Sequence, residues 1–229
     1  MYLIKNPTKT GRFIKRLNRF VAKVEVDGQV VKAHVPNSGR MKELLFSGNR
    51  VVLEEKSGEG RKTSYDLIMA EYDGYLVSID SRLPNYLVEE AINKGQLPGF
   101  GGLKVERREV SYGDSRLDLK LTGEKEGYCE IKSVTLVKDG IAMFPDAPTS
   151  RGARHLRELI RAQKEGFQAF IVFLVQRDDA VAFKPNDETD PEFGTALREA
   201  MASGVQVKAY TCRVSERGVE VIREIPVEI

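Results

Sequence analysis

The sequence predicts a two-domain α/β chain in which a small β-barrel precedes an α/β domain with a mixed central sheet. Three observations support this fold class. Residues 1–80 contain short β-rich runs separated by turn signals, and helical periodicity first enters near Leu83. The near-continuous apolar run FQAFIVFLVQR follows a predicted helix, which is typical of a strand buried on both faces of a parallel sheet. We place the boundary near Ile79–Pro84, which divides the chain into domains of residues 1–81 and 82–229.

The first domain is predicted to be all β. Its candidate strands are Gly11–Val26, Gln29–His34, Arg50–Glu55, Thr63–Tyr72 and Tyr75–Ile79. Asp-Gly pairs between β-rich runs are typical of hairpin turns, and the stretch RMKELL is interpreted as a short helix. About five strands in such a short segment suit a small barrel, and the OB-fold is the commonest barrel of this kind with nucleic-acid ligands.

The second domain is predicted to begin with a helix in LPNYLVEEAINKG, which opens with a proline and ends at a glycine. A second helix runs from Thr149 or Ser150 to Gly166 and leads into the apolar run. The order strand, helix, buried strand is that of a βαβ crossover. The remaining predicted elements are strands at Leu103–Tyr112, Ser115–Thr122, Gly127–Leu136, Val205–Val214 and Gly218–Ile225, and a helix at Pro191–Ser203.

Composition excludes several classes of protein. The 229 residues are 41% hydrophobic and 31% charged, which are globular values. No apolar run is long enough to span a membrane, and the basic N-terminal segment lacks the apolar region of a secretory signal. Two cysteines fit a reduced compartment, and with only two histidines they argue against a Cys/His zinc site. We therefore expect a cytoplasmic protein.

Charge is distributed unevenly along the chain. Residues 1–50 hold 11 Lys and Arg against 3 Asp and Glu, whereas the chain as a whole has a net charge of only +2. A basic end on a nearly neutral protein indicates a polyanionic partner such as DNA. The alternative is a face that serves only solubility.

The stretch YCEIKSVTL carries the chemistry of greatest interest. Glu130 and Lys132 are two residues apart in a predicted strand, so their side chains point to the same face. Asp118 lies in the preceding strand, and a hairpin through TGEKEG would place it opposite Glu130. The helix before both strands carries Glu89 and Glu90.

These residue types in this order suit a divalent-metal site. Mg²⁺ or Mn²⁺ prefers oxygen ligands, and Asp118, Glu130 and the carbonyl of Ile131 would supply them on one side. Lys132 could orient or deprotonate an attacking water, and Glu89 or Glu90 could hold a further water or a second ion. The alternative is a solvated charge pair, because Glu-x-Lys is common in exposed strands. Apolar flanking residues favour burial, where an unpaired charge is costly.

Basic residues offer candidate contacts to nucleic acid. Arginines recur at helical spacing after Thr149, and in HVPNSGRM backbone N–H groups could bind an anion. Phenylalanines interleave with arginines near the N-terminus, a mixture used for base stacking and backbone contact. The candidates are Arg12, Arg16, Arg19, Asn37, Ser38, Arg40, Arg151, Arg154, Arg157 and Arg161. The alternatives are a solvated helix face, a plain Pro-Asn turn and a phenylalanine core. His155 could touch substrate, but a lone histidine is more often structural.

Seven motifs, in this order, resemble the sugar fermentation stimulation protein A (SfsA) family along nearly the whole chain. They are KRLNRFVAKVEVDG, AHVPNSGRM, PNYLVEEA, SRLDLKL, CEIKSVTL, FPDAPTSRGARHLREL and AFIVFLVQR. The resemblance implies an OB-like N-terminal domain joined to a PD-(D/E)XK nuclease-like α/β domain. It places Asp118, Glu130 and Lys132 on the catalytic signature of that superfamily, and Glu89 or Glu90 on its helix acid.

The resemblance leaves three functions open. The first is a DNA-binding regulator of sugar (maltose) utilisation genes, a role associated with the family. The second is a Mg²⁺- or Mn²⁺-dependent nuclease that acts through activated water, and the third is a non-catalytic interaction module whose acids form ion pairs. No helix-turn-helix signature is present. A homodimer with two-fold symmetry would suit palindromic sites or double-strand cutting.

Overall fold

Sixteen strands and three helices make up the chain in the computed structural model, which describes residues 1–229. The strands before the first helix are β1 (Tyr2–Leu3), β2 (Thr8–Asn18), β3 (Val21–Val26), β4 (Gln29–His34), β5 (Arg50–Glu55), β6 (Tyr65–Tyr72) and β7 (Tyr75–Ser78). Then follow α1 (Leu83–Asn93), β8 (Lys104–Tyr112), β9 (Ser115–Thr122), β10 (Gly127–Val134), β11 (Val137–Lys138) and β12 (Ile141–Phe144). The last elements are α2 (Ser150–Lys164), β13 (Gln168–Val175), β14 (Ala182–Pro185), α3 (Pro191–Ala202), β15 (Gln206–Ser215) and β16 (Gly218–Ile225).

Five strands of the first half close into a barrel. Strand β2 pairs with β3 and β5, β3 with β4, and β5 with β6, all antiparallel, and a short parallel pairing of β4 with β6 closes the circle. The turn between β3 and β4 requires positive φ at two successive residues, and Asp27 and Gly28 adopt it with φ of 50° and 76°. The predicted OB-like barrel is therefore confirmed.

Two predictions for this half were wrong in detail. The run Gly11–Val26 is not one strand, because the chain reverses at Arg19 and Phe20, where the Asn18 side chain accepts the Phe20 N–H at 2.8 Å. The stretch RMKELL forms turns rather than a helix. Met41 has φ of 45°, a value outside the right-handed helical region.

The second half contains a seven-stranded mixed sheet in the order β1-β16-β15-β13-β10-β9-β8. Strands β10, β13 and β15 are parallel, and the other pairings are antiparallel. Helix α1 packs its apolar residues on one face of the sheet, and α2 and α3 pack theirs on the other. The order α1-β8-β9-β10-α2-β13, with β13 beside β10, confirms the predicted PD-(D/E)XK-type α/β fold.

Four short strands were not predicted. Strands β11, β12 and β14 form a small separate sheet, and β1 pairs with β16. Each is two to four residues long, which is too short for alternation of apolar and polar residues to be recognised. The pairing of β1 means that the N-terminal residues join the second sheet before the chain enters the barrel.

The barrel and the mixed sheet share a buried junction. Val52, Ile68 and Met69 of the barrel belong to the same apolar cluster as the residues of α1. Arg177 is completely buried there, with its guanidinium bound by the Asp179 carboxylate at 2.6 Å. None of the three helices combines the length and apolar character needed to cross a bilayer.

Gln176 links the two halves through hydrogen bonds. Its side chain accepts from the Ser78 hydroxyl and donates to the Ser133 hydroxyl, both at 2.9 Å, and it also donates to the Asp80 carbonyl at 3.3 Å. The residue is fully buried. Ser78 is also buried, at 1% exposed, so its hydroxyl has no water available to replace a lost partner.

Replacing Gln176 with alanine is expected to lower the free energy of unfolding by about 2 kcal/mol, because buried hydroxyl and carbonyl groups would lose their partner. Urea unfolding followed by circular dichroism measures the change. The control is Gln206→Ala at an exposed position, which should alter stability by less than about 0.5 kcal/mol. Equal effects of the two variants would contradict the assignment of Gln176 as the link.

Candidate functional site

The site begins where two strands separate. Strands β9 and β10 pair only as far as Leu119 and Cys129, so the next residues along this register are Asp118 and Glu130. The Asp118 carboxylate accepts the Ile131 N–H at 2.7 Å. A side chain thus takes the place of the next strand-to-strand hydrogen bond, and the hairpin opens without leaving a buried N–H unpaired.

Glu130 is the most constrained acid of the site. It is only 3% exposed, and its Oε1 accepts from Lys132 Nζ at 2.6 Å and from His155 Nδ1 at 2.5 Å. Its Oε2 is buried and has no hydrogen-bond partner. One carboxylate oxygen is therefore fixed by two donors, while the other stays free for a ligand.

His155 reaches Glu130 because of strand alternation. Glu130 and Lys132 lie on the face of β10 that α2 covers, and His155 projects from α2 into this face. Arg151 donates its Nε–H to His155 Nε2 at 3.2 Å. Since that ring nitrogen accepts, the proton of a neutral imidazole lies on Nδ1, where it is donated to Glu130.

The environment separates the pKa values of the two carboxyl groups. Burial, followed by the nearby negative charge of Glu130, raises the pKa of Asp118 to about 6. Burial also acts to raise the pKa of Glu130, but Lys132 and His155 outweigh it and hold that pKa below its usual value. Glu130 is thus the acid that ionises more readily, and Asp118 holds its proton to a higher pH.

The two acids lie at the floor of a cleft between the barrel and the second domain. One wall is the barrel loop from Asn37 to Gly39, and the other is the segment from Met143 to Thr149. Asn37 fixes its own loop by donating to the Ile79 carbonyl at 2.9 Å and accepting from the Gly39 N–H at 2.8 Å. Both domains therefore contribute to the surroundings of the site.

Most of the predicted metal-site residues come together in this cleft. The residues that line it include Asn37, Ser38, Asp118, Glu130, Ile131, Lys132 and Arg151. Glu89 and Glu90 do not line it, which corrects the prediction of a helix acid. Glu89 pairs with Arg108, and Glu90 binds the N-terminal amine at 3.2 Å and the Lys94 ammonium at 2.7 Å.

Asn85 is the α1 residue that touches the site. It donates from Nδ2 to Asp118 Oδ1 at 2.8 Å. It lies one helical turn before Glu89, and this turn is the one that reaches the open end of the hairpin. The sequence carried no signal for Asn85, because a neutral amide beside a proline near a helix start is typical of an ordinary turn.

The predicted arginine contacts divide into paired and unpaired groups. Arg157 and Arg161 bind Glu192 and Glu165 at 2.7 and 2.9 Å, and both lie outside the cleft. Arg16 is also occupied, since its guanidinium donates to the backbone carbonyls of residues 19, 37, 39 and 40. Arg16 therefore has a structural role in its loop. The Arg157 and Arg161 side chains stay more than half exposed in weak surface ion pairs, so their contact with nucleic acid stays a prediction.

The remaining candidates are exposed. Arg19 and Arg40 line a groove that adjoins the cleft, and Arg154 is exposed on α2 with no ion-pair partner. Arg12 is exposed on β2 and donates to the Gly48 carbonyl at 3.2 Å. Arg19 and Arg40 are therefore the exposed N-terminal candidates that adjoin the cleft.

The donor set fits a hard divalent cation. Two carboxylates are available, and the Ile131 carbonyl faces the same strand edge as its N–H, which Asp118 accepts. The free, buried Glu130 Oε2 is an acceptor that lacks a partner within the chain. No group of three or more His, Cys, Asp or Glu side chains converges here. Such a set suits Mg²⁺ or Mn²⁺, which keeps several waters or takes phosphate oxygens.

Comparisons with known proteins find sugar fermentation stimulation proteins similar along nearly the whole chain. The family model described as the sugar fermentation stimulation protein RE domain matches residues 82–218, and the SfsA N-terminal OB domain matches residues 14–79. A sugar fermentation stimulation protein homolog of Caldanaerobacter subterraneus subsp. tengcongensis is 50% identical, over 98% of this chain and 99% of that protein. A homolog from Clostridium kluyveri is 45% identical over the full length of both chains.

A solved structure is also similar over its full length. It is the structure of Pyrococcus furiosus SfsA in complex with Ca²⁺, with a TM-score of 0.92, 34% sequence identity and 100% coverage of both chains.

Replacing Asp118 with asparagine is expected to remove a loss of about 2 kcal/mol in the free energy of unfolding that the wild type shows between pH 4 and pH 8 in the presence of a chelator. The amide NH2 meets a donor at Asn85 or Ile131, which adds a cost that does not depend on pH. A raised folded-state pKa means that protonated Asp118 contributes stability that is present below about pH 4 and is lost as pH rises through about 6. Asparagine stays neutral at every pH, so the variant does not lose this stability as pH rises. Urea unfolding between pH 4 and 8 measures the difference, with exposed Asp114→Asn as the control. Parallel curves for wild type and Asp118→Asn would refute the shift.

Replacing His155 with alanine is expected to weaken Mn²⁺ binding about tenfold or more, because Glu130 loses the donor that fixes Oε1. Calorimetric titration with Mn²⁺ measures the affinity, and His155→Gln, which can still donate an N–H, should retain more of it. His34→Ala is the matched control, since that histidine contacts Asp66 in the barrel. An affinity unchanged in His155→Ala would show that Lys132 alone positions Glu130.

Proposed function

The chain belongs to the sugar fermentation stimulation protein (SfsA) family, and we propose that it binds DNA and hydrolyses phosphodiester bonds in its interdomain cleft with a divalent cation. The observation that carries this proposal is the state of Glu130. Its buried Oε2 has no partner, while Oε1 is held by two donors. Leaving a carboxylate oxygen buried and unpaired is costly unless a cation binds it.

In this proposal the two halves of the chain have different roles, DNA contact and metal binding. The barrel, whose strands lie within residues 8–72, would contact the phosphate backbone through its basic loops. Residues 82–229 form the nuclease-like domain that holds the two carboxylates. The first 50 residues hold 11 Lys and Arg but only 3 Asp and Glu, and this excess of basic residues supports the assignment of DNA contacts to the barrel.

Asp118, Glu130 and the Ile131 carbonyl would hold Mg²⁺ or Mn²⁺. When bound, the cation supplies charge neutralisation at the phosphoryl group and lowers the pKa of a coordinated water. Lys132 is fixed by Glu130 beside this position, and its remaining N–H groups can orient the attacking water or a phosphate oxygen. Asn85 and the Ile131 N–H hold the Asp118 carboxylate in place.

The calcium complex of the Pyrococcus furiosus relative supports a divalent-cation site, because Ca²⁺ also takes oxygen ligands. The regulation of sugar utilisation genes stays a prediction. Helices α1, α2 and α3 are separated by strands, so no two of them form a helix-turn-helix unit. Binding through the backbone of DNA is the mode that this surface supports.

Mn²⁺ titration of Asp118→Asn and Glu130→Gln is expected to show at least a tenfold loss of affinity, because each variant removes an anionic ligand. Glu89→Gln is the matched control, since its carboxylate pairs with Arg108 outside the cleft. If all three variants bind Mn²⁺ like the wild type, the acids form a structural ion-pair network. The chain is then better interpreted as a non-catalytic interaction module.

Lys132→Ala is expected to lower the rate of DNA cleavage about 100-fold or more even at saturating metal, the range for removing a group that assists proton transfer. Mn²⁺ binding should weaken as in His155→Ala, because Glu130 Oε1 again loses one of its two donors. Labelled DNA incubated with Mg²⁺ or Mn²⁺ and resolved on denaturing gels measures the rate. Cleavage that persists in both Lys132→Ala and Asp118→Asn would point to a contaminant. No cleavage by the wild-type chain on any DNA would restrict the function to binding.

A further inference from the structure

We infer that the cleft takes single-stranded nucleic acid, or the single-stranded part of a junction, rather than uninterrupted duplex. This inference rests on the proposed function of the same cleft and names its substrate class. It comes from three features of the cleft: its walls touch each other, they are held in place, and the groove beyond them combines cations with exposed apolar side chains.

The two walls of the cleft meet above its floor. The backbone N–H of Arg40, on the barrel side, donates to Asp146 Oδ2, on the opposite segment, at 3.0 Å. A Cβ atom on Gly39 would lie 2.9 Å from the same oxygen, so a larger residue there would have to displace the Asp146 carboxylate. We call this contact between Gly39–Arg40 and Asp146 the bridge. It joins the two walls of the cleft.

Both sides of the bridge are fixed by other contacts. The Arg16 guanidinium makes four hydrogen bonds of 2.5–3.3 Å to backbone carbonyls, three of them in the barrel loop. On the opposite side, the Asn186 side chain donates to the Pro145 carbonyl at 2.9 Å, and its backbone N–H donates to the Phe144 carbonyl at 2.8 Å. Each wall is therefore held in place by hydrogen bonds within its own half of the chain.

A phosphate must reach the floor of this bridged cleft to meet the acids. Glu130 is almost completely buried, and the Lys132 side chain is only 13% exposed. A duplex carries its two backbones around a stiff stack of base pairs, whereas one strand can bend between two walls and turn its bases away. The geometry thus discriminates against uninterrupted duplex by shape.

The groove beyond the bridge has the composition of a single-strand binding surface. It shares Ser38, Gly39, Ala147 and Pro148 with the cleft, so the two are continuous. Its nine lining residues include three arginines and no acid. Leu17 is 42% exposed in its wall, and Phe20, in the adjoining hairpin turn, is 50% exposed. Cations beside an exposed aromatic ring suit a backbone with stacked bases.

Fluorescence anisotropy of the full chain carrying Lys132→Ala, which keeps the substrates intact, tests the strand preference. The probes are a linear single strand, a covalently closed dumbbell duplex and the same dumbbell with a single-stranded gap, each as DNA, with a linear RNA strand in parallel. We expect the linear strands and the gapped dumbbell to bind at least tenfold tighter than the closed dumbbell. Equal or tighter binding of the closed dumbbell would overturn the inference.

Phe20→Ala tests the groove itself. Loss of one stacking contact should weaken single-strand binding about tenfold, and the salt dependence should keep its slope because no charge is removed. Phe46→Ala is the matched control, since Phe46 is similarly exposed at 52% but lies outside the hairpin turn of Arg19 and Phe20 that adjoins the groove. Equal losses in the two variants, or no loss in Phe20→Ala, would contradict the assignment of the groove.

The two proposals fail in different ways. Mn²⁺ affinity that is unchanged in Asp118→Asn and Glu130→Gln overturns the proposed function, whichever probe binds best. Metal binding that depends on these acids, together with preference for the closed dumbbell, overturns only the strand inference.

Discussion

The hydrogen bond from the Ile131 N–H to the Asp118 carboxylate is the contact on which the site depends. Pairing of β9 with β10 stops just before it, and a side chain replaces the missing strand partner. Without this replacement, the separation of the strands would leave a buried donor unpaired, and the hairpin would favour continued pairing. The open end of the hairpin creates the space in which two acids and a lysine face the same cleft.

The charged groups within that space do not simply neutralise one another. Lys132 and His155 both bind one oxygen of Glu130, which keeps this acid ionised in a buried position and leaves its other oxygen without a partner. Asp118 receives no cation of its own and carries the raised pKa. Two neighbouring carboxyl groups thus differ because only one has cationic and imidazole donors. A hard divalent cation would satisfy both at once.

The barrel contributes shape as well as charge. Arg16 was predicted to contact nucleic acid. Its guanidinium instead donates mainly to carbonyl groups of the loop that forms one wall of the cleft. The same loop touches Asp146 of the second domain, and the domains share an apolar core. The two halves therefore form one continuous surface, on which Arg19 and Arg40 are exposed.

Local patterns in the sequence determined the barrel, the mixed sheet and the group of Asp118, Glu130 and Lys132, because strand alternation and hairpin register act over short distances. Tertiary structure alone decided which helix residues join them. Glu89 and Glu90 match the expected acid type, but the turn of α1 that reaches the open hairpin carries Asn85. His155 likewise gains its contact only when α2 packs over β10. Such pairings follow from how elements dock, and docking depends on the packing of whole faces rather than on neighbouring residues.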